Sequence, residues 1–221
     1  DKEWFDSTGR LLRIVRGDDR GVTVTYPTAT TMQVSDDYGR YLVLTLDASG
    51  RVTAMADPDG QTYSYRYNSN GQLEYVSYPD ATLGRSGSNP FGEDNPYRQY
   101  HYADVNPNLV TGITDENGDV YKTISYDSDG RATSSGLSDG SVGQSIFDYT
   151  NIYDATDPRV TVTNALGKDT IYHLERQFGV SNVKSVEGVA SSNCLADVQS
   201  KEYYPENGWA KRTVDKAGST I

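Results

Sequence analysis

Hydrophobic and polar positions alternate along most of this 221-residue chain. Val22, Val24 and Tyr26 fall on one side of an extended segment, as do Leu42, Leu44 and Leu46. Tyr63, Tyr65 and Tyr67 repeat the pattern, and so do Tyr100 and Tyr102 with Arg98 in phase. Val160 and Val162 follow, then Tyr172 and Leu174. A period of two marks antiparallel strands half-buried on one face. No long segment has a helical period, and Ile171 to Gln177 reads better as strand than as a short helix.

The alternating runs are separated by a recurring turn. Asp or Asn is followed three residues later by Gly, then by Arg or Gln. The unit occurs at Asp6–Gly9–Arg10, Asp36–Gly39–Arg40, Asp47–Gly50–Arg51, Asn68–Gly71–Gln72 and Asp127–Gly130–Arg131. A second form alternates with it, at Asp57–Gly60, Asp115–Gly118, Asn164–Gly167 and Asp215–Gly218. The first side chain of such a turn can accept hydrogen bonds from N–H groups further along. Gly at the fourth position tolerates a positive φ. The spacings predict a hairpin of roughly 20 residues with one turn at each end. The fold class expected is therefore all-β: consecutive antiparallel β-hairpins forming a long curved sheet, as one repeat array over residues 1–221. Loop insertions are expected near 81–96, 136–143 and 190–196, where Gly, Ser, Asn and Pro break the pattern.

Composition supports a sheet. Tyr contributes 18 residues against 4 Phe, 2 Trp and 2 Met, and aromatics suit pleated surfaces. Gly is abundant at 21. The length suggests one domain, or two small ones, with enough chain to bury a real core. The net charge of −11 repels phosphate backbones and argues against nucleic-acid binding. No apolar run reaches membrane-spanning length. The single Cys194 excludes an intrachain disulfide and points to folding in a reducing compartment. Cys194 reads as inert, because no cationic cluster beside it would lower its pKa.

Candidate chemistry is sparse. The two histidines, His101 and His173, are far apart and read as sheet-face packing rather than a metal site. No serine sits in Gly-x-Ser-x-Gly. Asp57–Asp59 and Asp127–Asp129 carry oxygens that could suit Ca²⁺, but turn formation accounts for the same residues. No catalytic, cofactor-binding or metal residue is assigned, and no cofactor is expected. Surface tyrosines could stack on sugar rings, with cross-strand packing as the stronger reading.

Several copies of the repeat resemble the YD repeat of Rhs proteins. Tyr67–Asn68–Ser–Asn–Gly71–Gln and Tyr126–Asp127–Ser–Asp–Gly130–Arg131 have its form. Leu109 to Gly118 and Thr161 to Gly167 look like longer stretches typical of the family, and the similarity runs from about Phe5 to Ile221. The resemblance implies a β-strip that spirals into a shell around a C-terminal toxin, with relatives among insecticidal toxin complexes, wall-associated proteins and teneurins. It implies a structural scaffold, not an enzyme, secreted or at the cell surface after folding in the bacterial cytoplasm. The implied partners are the remainder of the shell and the toxin domain. A self-cleavage motif of the Asp-Pro-x-Gly-Leu kind is missing from Asp57–Pro58 and Asp157–Pro158. About 20 strands at about 4.8 Å each span roughly 95 Å, too little to enclose a folded toxin. The chain therefore reads as a wall segment of a longer protein, with sheet edges open to self-association. The alternative reading is a cell-surface or carbohydrate-binding repeat module.

Overall fold

The computed structural model describes residues 2–17, 20–79, 95–138, 142–190 and 195–220. These form eighteen strands. Among the described residues no helix occurs. The strands divide between two compact units, Asp1–Asp119 and Val120–Ile221.

The first unit holds β1 (Lys2–Phe5), β2 (Leu11–Val15), β3 (Gly21–Thr28), β4 (Thr31–Asp36), β5 (Tyr41–Leu46), β6 (Val52–Ala56), β7 (Thr62–Tyr67), β8 (Leu73–Ser77), β9 (Tyr97–Tyr102) and β10 (Val110–Thr114). Each strand pairs antiparallel with the next in sequence, from β1–β2 through β9–β10. The second unit holds β11 (Val120–Tyr126), β12 (Ala132–Leu137), β13 (Val142–Asp148), β14 (Arg159–Thr163), β15 (Asp169–Gln177), β16 (Val180–Gly188), β17 (Asp197–Tyr203) and β18 (Ala210–Val214). It follows the same rule from β11–β12 through β17–β18. The fold is all-β, built of consecutive hairpins.

The two ends of the hairpins differ. Where β1 turns into β2, β5 into β6, β7 into β8, β11 into β12 and β17 into β18, the register slips by one residue just past the turn. The extra residues are Leu12, Thr53, Glu74, Thr133 and Lys211. Such bulges raise the local twist and interrupt the ladder. The turns into β5, β7 and β15, at Asp36, Asp57 and Asn164, have no slip. Asp36, grouped by its Arg40 with Asp47, thus lies at the same end as Asp57. Strand direction decides the end, and the arginine does not.

The expected core is not found. Among the described residues the only buried apolar side chains are Val24 and Val76. Within each unit, among the described residues, the strands in backbone contact are neighbours in sequence. Most side chains are half-buried against cross-strand partners. Tyr63 meets Tyr78 edge-on at 6.2 Å, and Tyr75 meets Tyr97 at 5.8 Å. Such pairs, with the backbone ladder, carry the stability a core would supply elsewhere.

The insertion expected over 136–143 is shorter than the sequence suggests. Gly136 belongs to β12 and Gly143 to β13, and Leu137 pairs with Val142. Residues 80–94, 139–141 and 191–194 lie outside the described residues. They include most of the loops placed at 81–96 and 190–196, and Cys194. Two further connections escaped the sequence pattern. Phe178 and Gly179 make a two-residue turn between β15 and β16, with φ of +53° and +80°. Tyr204 to Trp209 closes β17 onto β18, with Tyr204 N–H donating to Trp209 C=O at 2.9 Å.

Two substitutions test the turns. Gly118 has φ +87°, and a Cβ there would meet nothing within 4 Å. Gly118→Ala therefore isolates the backbone penalty and should cost about 1–2 kcal/mol in urea unfolding. Phe178 occupies the left-handed region with its ring 68% exposed. Phe178→Asn should raise the urea midpoint, because Asn suits a turn with two positive φ angles. An unchanged midpoint for both would count against this account of the turns.

Candidate functional site

The repeated turn is a small hydrogen-bonded device. At Asp47 the backbone N–H donates to Arg51 C=O at 2.8 Å, and Gly50 N–H donates back to Asp47 C=O at 3.0 Å. One carboxylate oxygen, Oδ1, accepts from Ser49 N–H at 2.8 Å and Arg51 N–H at 2.9 Å. The other, Oδ2, accepts from Arg51 Nε at 2.8 Å. The same arrangement holds at Asp6 with Arg10, Asp36 with Arg40 and Asp127 with Arg131. Asp57, Asn68, Asp115, Asn164 and Asp215 accept the two backbone N–H groups without an arginine. The turn glycines Gly9, Gly39, Gly50, Gly60, Gly71, Gly118, Gly130, Gly167 and Gly218 have φ between +74° and +87°.

A tyrosine completes the device. Past the bulges at Leu12, Thr53 and Glu74 the ladder to the following strand stops short. β6 pairs with β7 only as far as Ala54–Ser64, so Val52 C=O has no ladder partner from β7. Tyr67 Oη donates to it at 2.8 Å. β2 and β3 pair as far as Arg13–Thr23, and Tyr26 Oη donates to Leu11 C=O at 3.1 Å. β8 and β9 pair as far as Tyr75–Gln99, and Tyr102 Oη reaches Leu73 C=O at 2.6 Å. In the second unit Tyr203 Oη does the same for Val183 C=O at 2.6 Å. A part-buried carbonyl left without a donor is costly, and the phenol is long enough to reach it. The turn arginine then lies on the same ring: Arg51 is 4.6 Å from the Tyr67 centroid and Arg10 is 4.5 Å from that of Tyr26. In the YD-like pair Tyr67–Asn68 the tyrosine therefore seals the preceding hairpin. Sequence reading assigned these rings to cross-strand packing and missed the hydroxyl. The signal that marks it is a Tyr 15 residues after the first residue of the preceding strand, at Leu11–Tyr26 and Val52–Tyr67.

Other expected chemistry resolves into structure. Asp127 is tied to Arg131 Nε, and Asp129 lies 2.8 Å from Arg131 Nη2, so both carboxylates face a cationic side chain. Asp59 lends its N–H to Asp57 Oδ1. His101 Nε2 lies 2.8 Å from Thr114 Oγ1. His173 Nδ1 lies 2.7 Å from Asp157 Oδ1, and Nε2 lies 3.5 Å from Glu187 Oε2. Asp157 also pairs with Arg159. The histidines stay in separate units and share no ligand geometry. Among the described residues no group of three His, Cys, Asp or Glu side chains could hold a metal ion.

The four arginine-paired turn carboxylates, Asp6, Asp36, Asp47 and Asp127, are held in their charged form. Thr8 hydroxyl and Arg10 N–H keep the Asp6 carboxyl far below its ordinary value. Arg51 N–H is the largest influence lowering Asp47, and Arg131 N–H does the same for Asp127. At Asp36 partial desolvation acts upward, but the Arg40 side chain, with the Arg40 and Tyr38 N–H groups, outweighs it. A carboxylate depressed in the folded state contributes stability that is full above its unfolded value near 3.8 and is lost as pH falls through the folded value.

Two outcomes follow from this geometry. Tyr67→Phe keeps the ring but strips the donor from Val52 C=O, and should cost about 1 kcal/mol in denaturant unfolding. An unperturbed midpoint would show that water serves the carbonyl equally well. Lowering the pH from about 4 should reduce Tm progressively. Asp127→Asn should flatten that dependence while keeping the turn, as Asn68 and Asn164 do naturally. Asp127→Ala should lower Tm at neutral pH by roughly 2–4 °C. A slope identical in all three proteins would contradict the assignment.

Residues 47–83 match the family model described as RHS Repeat, a segment that runs through β6, β7 and β8 and contains the Asp47 and Asn68 turns. No curated protein matches the chain. Similar solved structures include the complex titled TcdB2-TccC3-Cdc42 and the Photorhabdus luminescens Tc holotoxin pore. Each is 12% identical with a TM-score of 0.33, covering 100% of this chain and 15% of the other. A porin-like protein from Bacteroides uniformis is 11% identical with a TM-score of 0.23, over 96% of this chain and 80% of the other. The chain thus spans about 15% of the Tc chains it matches. The chain carries an RHS repeat over residues 47–83, the stretch that holds the Asp47 and Asn68 turns and Tyr67.

Proposed function

We propose that this chain is a wall segment of an Rhs-type shell and acts as a structural scaffold without a catalytic centre of its own. The RHS repeat at residues 47–83 carries the reading. The sheet physics supports it. A chain that makes hairpin after hairpin with few buried apolar side chains among the described residues is suited to extend a wall and poorly suited to close a pocket around a substrate. The segment contributes area, and its repeat lets the same contact recur without a new fold at each step.

In this reading the partners are the rest of the shell and a toxic domain carried C-terminal to it. The shell keeps that domain apart from the producing cell until delivery outside it. The acidic surface, at −11, keeps the wall soluble and disfavours adventitious nucleic-acid contacts. Among the described residues no helix is long and apolar enough to cross a membrane.

The full-length gene product tests the proposal. Its C-terminal domain should resist protease under conditions that digest the same domain expressed alone. Equal digestion in both settings would overturn the shell reading. The isolated 221-residue segment should also self-associate with rising concentration in light scattering, because β1, which pairs with β2, exposes Trp4 and Phe5. A strict monomer would remove the edge argument.

A further inference from the structure

The second unit has a groove that the repeat does not require. It lies between the segment from Ile152 to Pro158, which joins β13 to β14, and the strands β15 and β16. Its volume is about 410 Å³. Beside it β16 gains one residue over β15, at the register slip between His173 and Leu174. Leu174, Ile152 and Pro158 supply apolar wall, while Arg176, Lys184, Asp154 and Glu175 supply charge.

The charges are not equivalent. Asp154 Oδ1 already accepts from Thr156 N–H at 2.8 Å, Thr156 Oγ1 at 2.8 Å and Asp157 N–H at 2.9 Å. Glu175 accepts from Gln177 Nε2. Both acids are engaged by their own chain. The cations are not matched in this way. Arg131 and Arg159, the other arginines of this part of the unit, are each clamped by aspartate. Among the described residues neither Arg176 nor Lys184 has a carboxylate within ion-pair distance. Arg176 lies instead 5.0 Å from the centroid of Tyr153, whose ring also has Arg131 at 6.0 Å. A guanidinium held on an aromatic face keeps its planar fork of donors oriented, and that fork fits a carboxylate. In a chain of net charge −11, two cations without acidic partners lining one groove stand out.

We infer that this groove binds an aliphatic carboxylate, with Arg176 and Lys184 holding the charged head and the Leu174–Ile152–Pro158 wall receiving the carbon stem. The carboxylate comes either from an acidic side chain of a peptide or from a free small organic acid. Binding is weakened by salt, because both cations are solvent-exposed. The inference does not depend on the shell reading: a wall segment could carry the groove, and so could a chain with another role.

Titration calorimetry on the 221-residue chain tests it with four probes. N-acetyl-glutamate N-methylamide should bind and its glutamine counterpart should not. Equal binding of the two, or binding of neither, would overturn the inference. Glutarate, the free diacid, separates the sources: if it binds as well as the glutamyl probe, a free acid suffices, and if it does not, the peptide frame is read too. Inorganic phosphate binding as tightly as the glutamyl probe would also overturn the inference, since bare charge would then explain the site. Arg176→Gln and Lys184→Gln should each weaken the glutamyl probe roughly tenfold with Tm unchanged. Arg176→Lys should recover only part of the loss. Lys168→Gln, outside the groove, should have no effect, and affinity unchanged in all four variants would overturn the assignment of residues.

Discussion

The structure depends on one constraint: a hairpin with a bulge leaves a carbonyl without a ladder partner. Val52, Leu11, Leu73 and Val183 are those carbonyls, and in each case a tyrosine hydroxyl from the following strand supplies the donor. The bulge is useful because it adds twist where strands double back. The cost is a polar group that water reaches poorly once neighbouring strands close over it. Tyr is the residue that can satisfy it. Its ring fills the space the splayed strands leave, and its hydroxyl reaches beyond the ring. At Asp6–Arg10–Tyr26 and Asp47–Arg51–Tyr67 the turn acid, the turn arginine and the tyrosine are therefore one coupled set. The acid fixes the turn and the arginine, the arginine lies on the ring, and the ring closes the ladder.

This coupling explains how the sheets stand with so little interior. Only Val24 and Val76 are buried apolar side chains among the described residues, yet the strands keep regular register. Stability comes from contacts that each hairpin makes with its immediate neighbours. Such a construction is modular: lengthening it needs no redesign of a shared core. It also spreads electrostatic load along the chain. Asp6, Asp47 and Asp127 hold their charge because N–H groups and arginines surround them, so an acidic composition does not force acidic side chains against one another.

The departures from the repeat are where distinct chemistry collects. The Asp148–Pro158 connection replaces a tight turn by a chain of local caps, with Thr150 N–H on Asp148 and Thr156 N–H on Asp154. That longer path forms one wall of the groove and brings Tyr153 over Arg176. The Phe178–Gly179 turn sits at the same end, and the Phe178 ring lies beside Gly208, where a Cβ would come within 3.4 Å. A repeat supplies the scaffold, and an interruption of it is free to carry something particular to this chain.

Much of this was legible in the sequence. The alternation of apolar positions gave strands because side-chain direction has a period of two, and the Asp/Asn-to-Gly spacing gave turns because those residues make local hydrogen bonds that need no tertiary partner. The Tyr67–Asn68 motif also marked the RHS repeat matched over residues 47–83. The Phe178–Gly179 turn was not legible, since a phenylalanine at positive φ contradicts local preference and is tolerated only because two long strands, β15 and β16, meet there in register. The length of the chain suggested a larger core than the two buried valines found among the described residues, because strand number does not set how deeply side chains are buried. By itself the sequence determined the hairpins, their turns and the acidic surface, all of which depend on neighbours a few residues apart. Only tertiary structure decided which carbonyls the bulges orphan, which hydroxyls meet them, and that Arg176 and Lys184 line one groove. Those pairings depend on register between strands and on the path of a connection, and neither is written in local residue preferences.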